Sequence, residues 1–219
     1  MATKAQKVWD PLVRVFHWSL VAAFFIAYFT EPEDSGFAVH VWAGYFVGGL
    51  IALRVVWGFV GSKHARFSDF AFGPFRALAY LGDLARGRSK RHLGHSPAGA
   101  WMVYLLLLTL AATVLSGMTL LAMEEHQGPL APFFGSTTTP TTSMANQPGD
   151  QGAGRAEATR DGESEPRGEE AVEEAHEIFA NIVLILVILH ILGVVVASAA
   201  HRENLVRAMV TGNKRSDAI

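Results

Sequence analysis

Residues 175–202, AHEIFANIVLILVILHILGVVVASAAHR, place two histidines inside a stretch that is otherwise long and apolar enough to be a bilayer helix. His176 and His190 are 14 residues apart, which on a helix is about 21 Å along the axis. That interval falls roughly 40° short of four full turns at 3.6 residues per turn, and closes at the 3.5 period of a left-handed bundle. Both rings therefore face the same side of the helix, one near each surface of the membrane. Polar groups at membrane depth are costly and mark sites with partners. A single histidine there is explained by a hydrogen bond to a neighbouring helix. Two on one face call for matching ligands on other helices.

The rest of the composition fits a bilayer protein. Half of the 219 residues are apolar, only 17% are charged, and mean hydropathy is positive. Four apolar runs are long enough to span: about Leu12 to Thr30, Phe37 to Val60, Ala100 to Met123 and Glu177 to Ala200. The first is not read as a cleaved signal peptide, because it leads with Trp9-Asp10-Pro11, carries Arg14 and His17, and lacks a small-residue cleavage site. Cysteine is absent. Disulfides, thiolate-bound zinc, iron–sulfur clusters and covalent c-type haem attachment are thereby excluded, leaving histidine as the soft-nitrogen ligand.

Charge distribution orients the spans. Residues 1–16 carry Lys4, Lys7 and Arg14 against Asp10, so this end is expected on the cytoplasmic side. Span one carries His17 low in the bilayer and ends at Glu31, Glu33 and Asp34, an acidic turn read as outside. Span two returns inward with His40 near its outer end. Gly44 and Gly48 follow on the same face, either admitting a flat bulky group to the backbone or letting helices pack closely. Arg54 lies 14 residues below His40, deep on the inner side, where it needs an anionic partner or a route to the interface.

Residues 61–99 hold seven basic residues against Asp69 and Asp83 and are read as a cytoplasmic loop. Within it, GPFRALAYLGDLARG predicts a short amphipathic helix on the inner leaflet, with Phe75, Leu78, Leu81 or Gly82, and Ala85 on one side. Attraction to anionic lipid and docking of a soluble partner both suit it. Span three carries no charged group and no histidine and reads as bundle filler, while His95, just ahead of it, is expected at the inner interface in a solvated or capping role. Residues 124–175 hold eleven acids against three arginines, are rich in Pro, Gly, Ser and Thr, and read as an extracytoplasmic loop disordered in its middle. The C-terminal HRENLVRAMVTGNKR has four basic residues and places this end inside as well. The expected organisation is spans one to three over 1–123, the acidic loop over 124–175, and span four with a cytoplasmic tail over 176–219.

With this orientation His40 and His176 share an outer level, and His17 and His190 share an inner one. Two neutral imidazoles facing across a helical bundle are the axial ligands of a low-spin b-type haem. With both axial positions filled, no site remains for oxygen, so electron transfer is expected over oxygen activation. Arg54 is placed to neutralise a propionate of the inner haem, and Arg14, about one turn from His17, is a second candidate. A haem-free metal or proton transporter is the competing use of membrane histidines. It fits less well, because zinc or copper wants ligands clustered together, and H-E-x-x-H is absent.

WDPLVRVFHW, VHVWAGYFVGGLIALRVVWGFVG, RFSDF, LGHSPAGAWMVYLLLL and AHEIFANIVLILVILHILGVVVASAAHRENLVRAMVTGNK together resemble the membrane cytochrome b subunits of nickel–iron hydrogenases and the related bacterial cytochrome b-561 proteins. The likeness covers nearly the whole chain except residues 124–170. It implies that His17, His40, His176 and His190 ligate two non-covalent b haems. It also implies electron transfer between an extracytoplasmic donor and the quinone pool or a related acceptor. The long acidic loop departs from the family pattern, and steering of a basic cytochrome c is one use for it.

The expected protein is thus all-α, an integral membrane four-helix bundle of the bacterial cytoplasmic (inner) membrane with both termini cytoplasmic. It carries two haem b groups and no catalytic residue. Its partners are lipid, quinone and an extracytoplasmic redox protein such as a hydrogenase, a dehydrogenase or cytochrome c, and no nucleic acid. A subunit of a hydrogenase- or dehydrogenase-type complex is the first reading, and a free-standing superoxide/quinone oxidoreductase the second. The cofactor-binding set is Arg54, Gly44 and Arg14.

Overall fold

The computed structural model describes residues 5–30, 36–134 and 166–215. The acidic turn at 31–35 and the middle of the acidic loop at 135–165 lie outside the described residues.

Each apolar run is a helix. Asp10 caps α1 (Pro11–Phe29) by accepting from the Val13 N–H at 2.8 Å, with Pro11 supplying its fixed φ in the first turn. The second Asp10 oxygen accepts from Trp57 Nε1 at 3.1 Å and from the Ser62 hydroxyl, tying the start of α1 to the end of α2 (Phe37–Val60). Two 3-10 turns, Lys63–Ala65 and Phe67–Phe70, lead to α3 (Pro74–Ala85). The third span is α4 (Pro97–Glu124), capped by the Ser96 hydroxyl, which accepts from the Gly99 N–H at 3.2 Å. After a single turn, α5 (Ala131–Phe134), the fourth span lies within α6 (Pro166–Ala200).

The four candidate membrane spans run Pro11–Phe29, Phe37–Val60, Pro97–Glu124 and Gly168–Ala200. The last starts earlier than hydropathy alone suggests. Glu169, Glu170, Glu173 and Glu174 are good helix formers, and near a helix start their charge complements the macrodipole.

The chain divides into two compact units, Met1–Val114 with Glu177–Ile219, and Leu115–His176. In the first unit all four spans contribute to one core: Ala23 and Phe24 from α1, Val47 and Ile51 from α2, Leu110 from α4 and the fully buried Val183 from α6. Large apolar side chains also cover the outside, among them Phe29, Trp42, Phe59 and Leu108. So much exposed apolar surface is untenable in water and ordinary against lipid tails, where packing rather than hydrophobic burial joins the helices.

A second core cluster, Val8, Trp9, Val13, Ala65 and Ala208, brings the two chain ends together. The strand β1 (Ala5–Lys7) pairs antiparallel with β2 (Asn213–Arg215), so that Gln6 faces Lys214. Between α6 and β2, Asn204 caps α7 (Leu205–Thr211), and Gly212 ends it at φ 82°, a left-handed conformation suited to glycine. The Gly212 carbonyl accepts from the N–H groups of Val8 and Trp9 at 2.9 and 3.1 Å. The basic tail is therefore a folded clasp. Arg91 forks onto Glu203 at 3.1 and 2.8 Å, and the buried Lys214 donates to the carbonyls of His92 and Gly94 at 3.4 and 3.5 Å.

The amphipathic helix forms as expected. α3 buries Ala77 and Tyr80, whose hydroxyl lies 3.3 Å from His201 Nε2, and leaves Phe75, Leu78 and Leu81 exposed.

Candidate haem-ligand site

In the first unit α1 and α6 bring His17 and His190 face to face. Their ring centres are 6.3 Å apart and the planes are inclined by 53°. Two metal–imidazole bonds of about 2 Å each, together with the distance from each ring centre to its own nitrogen, add up to a separation of this order. The two rings are too far apart to touch and close enough to share one metal atom. His17 Nδ1 is buried with no hydrogen-bond partner, and Trp18 packs edge-on against the ring at 5.1 Å. An imidazole sealed from water with a nitrogen unsatisfied is costly unless a bound group accounts for it.

His40, also in the first unit, is held differently. Its Nδ1 lies 2.9 Å from the Ala27 carbonyl across the α1–α2 contact. A carbonyl only accepts, so Nδ1 carries the proton and Nε2 the lone pair, one of the two tautomers in which a histidine can ligate a metal. His176 belongs to the second unit, where Ser116 Oγ lies 3.1 Å from its Nδ1. Gly117 completes that arrangement: a β-carbon there would stand 2.8 Å from His176 Cε1. Span three, read as filler, thus orients a histidine. A Ser-Gly pair at helix depth was the available signal, since small and hydroxyl residues mark close helix contacts.

Arg54 is 3% exposed, with its guanidinium 4.9 Å from the Phe67 ring centre and Nη1 lacking a hydrogen-bond partner. Arg14 donates from Nη1 to the Val210 carbonyl at 2.6 Å, binding α1 to the clasp, while its Nε is buried without a partner. The two glycines of α2 divide between the readings open to them. A β-carbon on Gly44 would meet open space, whereas one on Gly48 would stand 3.1 Å from Val114 of α4. Gly48 serves helix packing, and Gly44 leaves room beside the backbone.

The solvated or capping role expected for His95 is corrected. Ser96 does the capping, and the His95 ring packs 4.2 Å from Phe70 and 4.8 Å from Trp9 with Nδ1 sealed and unpartnered. Burial, with the Arg54 and Lys214 charges beside it, pushes its pKa down to about 3, so the imidazole is neutral.

A family model described as prokaryotic cytochrome b561 matches residues 8–212. The chain belongs to the prokaryotic cytochrome b561 family. Membership makes it a membrane b-type cytochrome of electron transfer, which implies haem b binding, and its four apolar helices agree with residence in a prokaryotic membrane. No curated protein and no solved structure matches this cytochrome b561 family member. Among the described residues no group of three or more His, Cys, Asp or Glu side chains is gathered to hold a metal ion, so a metal shared by two imidazoles needs its remaining ligands from elsewhere. A porphyrin supplies four.

Proposed function

We propose that this cytochrome b561 family member holds two non-covalent b haems, one between His17 and His190 and one between His40 and His176, and carries electrons across the bacterial cytoplasmic membrane. The observation that supports it most is the facing His17–His190 pair at 6.3 Å, with a buried nitrogen that nothing else satisfies. The haem iron, when bound, supplies a one-electron carrier whose potential its axial ligands and surroundings tune.

The chain's own residues hold and insulate. The histidines fix position from rigid spans, the Ala27 carbonyl and Ser116 set ring orientation for His40 and His176, and the apolar core excludes water. Arg54 and Arg14 supply positive charge for propionates on the inner side, and Gly44 gives a flat ring access to the α2 backbone. Residues 61–99 and both termini face the cytoplasm under the positive-inside rule, and residues 124–175 face outward. The pairing of β1 with β2 agrees with both ends lying on one side.

The electrons pass between an extracytoplasmic redox protein and quinone, with this chain serving as the membrane subunit of a hydrogenase- or dehydrogenase-type complex. Absorption of the purified protein tests the reading. Reduced b-type bands with two haems per chain are expected. A colourless protein removes the haem reading and leaves a haem-free transporter. Two haems in a protein that purifies alone and reacts directly with superoxide and quinone select the free-standing oxidoreductase instead.

A further inference from the structure

Among the described residues four buried side-chain polar atoms lack a hydrogen-bond partner: Arg14 Nε, His17 Nδ1, Arg54 Nη1 and His95 Nδ1. Native structures leave few such groups, and each asks for an explanation. His17 has one as a ligand, and Arg14, tied to the clasp through Nη1, has one as the second cation already proposed for the propionates. Arg54 and His95 remain.

These two flank one aromatic cluster. The Arg54 guanidinium lies over Phe67, which stands 5.8 Å from Phe70 and 5.8 Å from Tyr104. Phe70 in turn stands 4.2 Å from His95, and Trp9 stands 4.8 Å from the same ring. A guanidinium keeps its charge when buried and therefore needs an anion. Asp10 attracts Arg54 through space, but its oxygens already accept from Val13, Trp57 and Ser62. His95, neutral because burial depresses its pKa, has one nitrogen to present as a donor beside that charge.

We propose that Arg54 and His95 together hold one carboxylate of the iron porphyrin bound between His17 and His190, Arg54 supplying charge and His95 a hydrogen bond. The inference rests on the two-haem reading and adds His95, a residue outside the ligand set, as an anchoring group. The atoms are sealed among Phe67, Phe70, Trp9 and Tyr104, which suits a carboxylate presented from inside the helix cluster over a lipid phosphate approaching from the membrane surface.

The test is a porphyrin titration followed by absorption, using the full-length chain freed of porphyrin in detergent. Iron protoporphyrin IX is compared with its dimethyl ester, which has no carboxylate, at the site that His17→Ala abolishes. Arg54→Gln and His95→Phe should each weaken the free-acid porphyrin about tenfold or more and leave the ester's affinity unchanged. His95→Phe keeps the aromatic packing, so it stands if Arg54→Gln fails to fold. Equal losses for both porphyrins, or none for the free acid, overturn the proposal, as does loss of co-purifying phospholipid with porphyrin affinity intact. If the unaltered chain binds no porphyrin at all, the two-haem reading falls with it, a result distinguishable from the others.

Discussion

His17 of α1 and His190 of α6 face each other with ring centres 6.3 Å apart, although 173 positions separate them in the chain. Neither ring hydrogen-bonds the other across that gap. Such a spacing is idle in a packed helical core, where a leucine would fill it at lower cost. A shared metal makes it useful.

Ser116→Ala removes the hydroxyl beside His176 Nδ1. Loss of an outer-shell partner of this kind weakens metal-group binding by about tenfold to a hundredfold. Gly117→Ala should do at least as much damage, because the new methyl would stand 2.8 Å from His176 Cε1. Haem retention through purification, read as haem per chain, is expected to fall toward one in both variants while the His17–His190 site stays filled. Two haems retained at full affinity in both variants would exclude a ligand role for His176.

The clasp gives a stability prediction. Arg91 holds Glu203 through two bonds, and the Glu203 side chain is only 7% exposed. Losing charge-assisted hydrogen bonds at a partly buried pair of this kind costs about 1.5–3 kcal/mol. Thermal unfolding in detergent should show Arg91→Ala well below the unaltered protein, and Arg91→Ala/Glu203→Ala partly restored. A double variant as unstable as the sum of the single changes would mean the two side chains act independently.

Asp10 carries the acid dependence of the junction between α1 and α2. Burial raises its pKa, but hydrogen bonds from Ser62, the Val13 N–H, Trp57 and the Leu12 N–H outweigh it, so the folded value lies below 3.8. A depressed carboxylate contributes stability that is present above the unfolded pKa and lost as pH falls through the folded one. Asp10→Asn keeps a competent N-cap. Its melting temperature should be lower than that of the unaltered protein at neutral pH, with the difference narrowing below about pH 4. A constant difference down to pH 3 would contradict the assignment.

The four spans were legible because lipid demands long apolar helices, and the facing of His17 and His190 was legible because charge orients the spans and the length of span one beyond His17, to about Thr30, matches the His176–His190 interval of span four. Other features are invisible to local pattern. HRENLVRAMVTGNKR reads as a polar tail, yet α7 and β2 fold against the N-terminus, a pairing between Gln6 and Lys214 that no short window contains. His95 looks solvated beside Gly94 and Ser96 until Trp9 and Phe70 arrive from distant segments. Gly44 and Gly48 look equivalent in the sequence and differ only because Val114 packs against one of them.

The central claim is tested most directly by haem content in the single variants His17→Ala and His190→Ala and in the double variant, read from reduced-minus-oxidised spectra and iron per chain. The account predicts that each single variant loses one haem of two, that both lose the spectrally identical one, and that the double variant loses no more. If the two single variants lose different haems, or the double variant loses both, the facing pair does not clasp a common iron and the two-level arrangement is wrong.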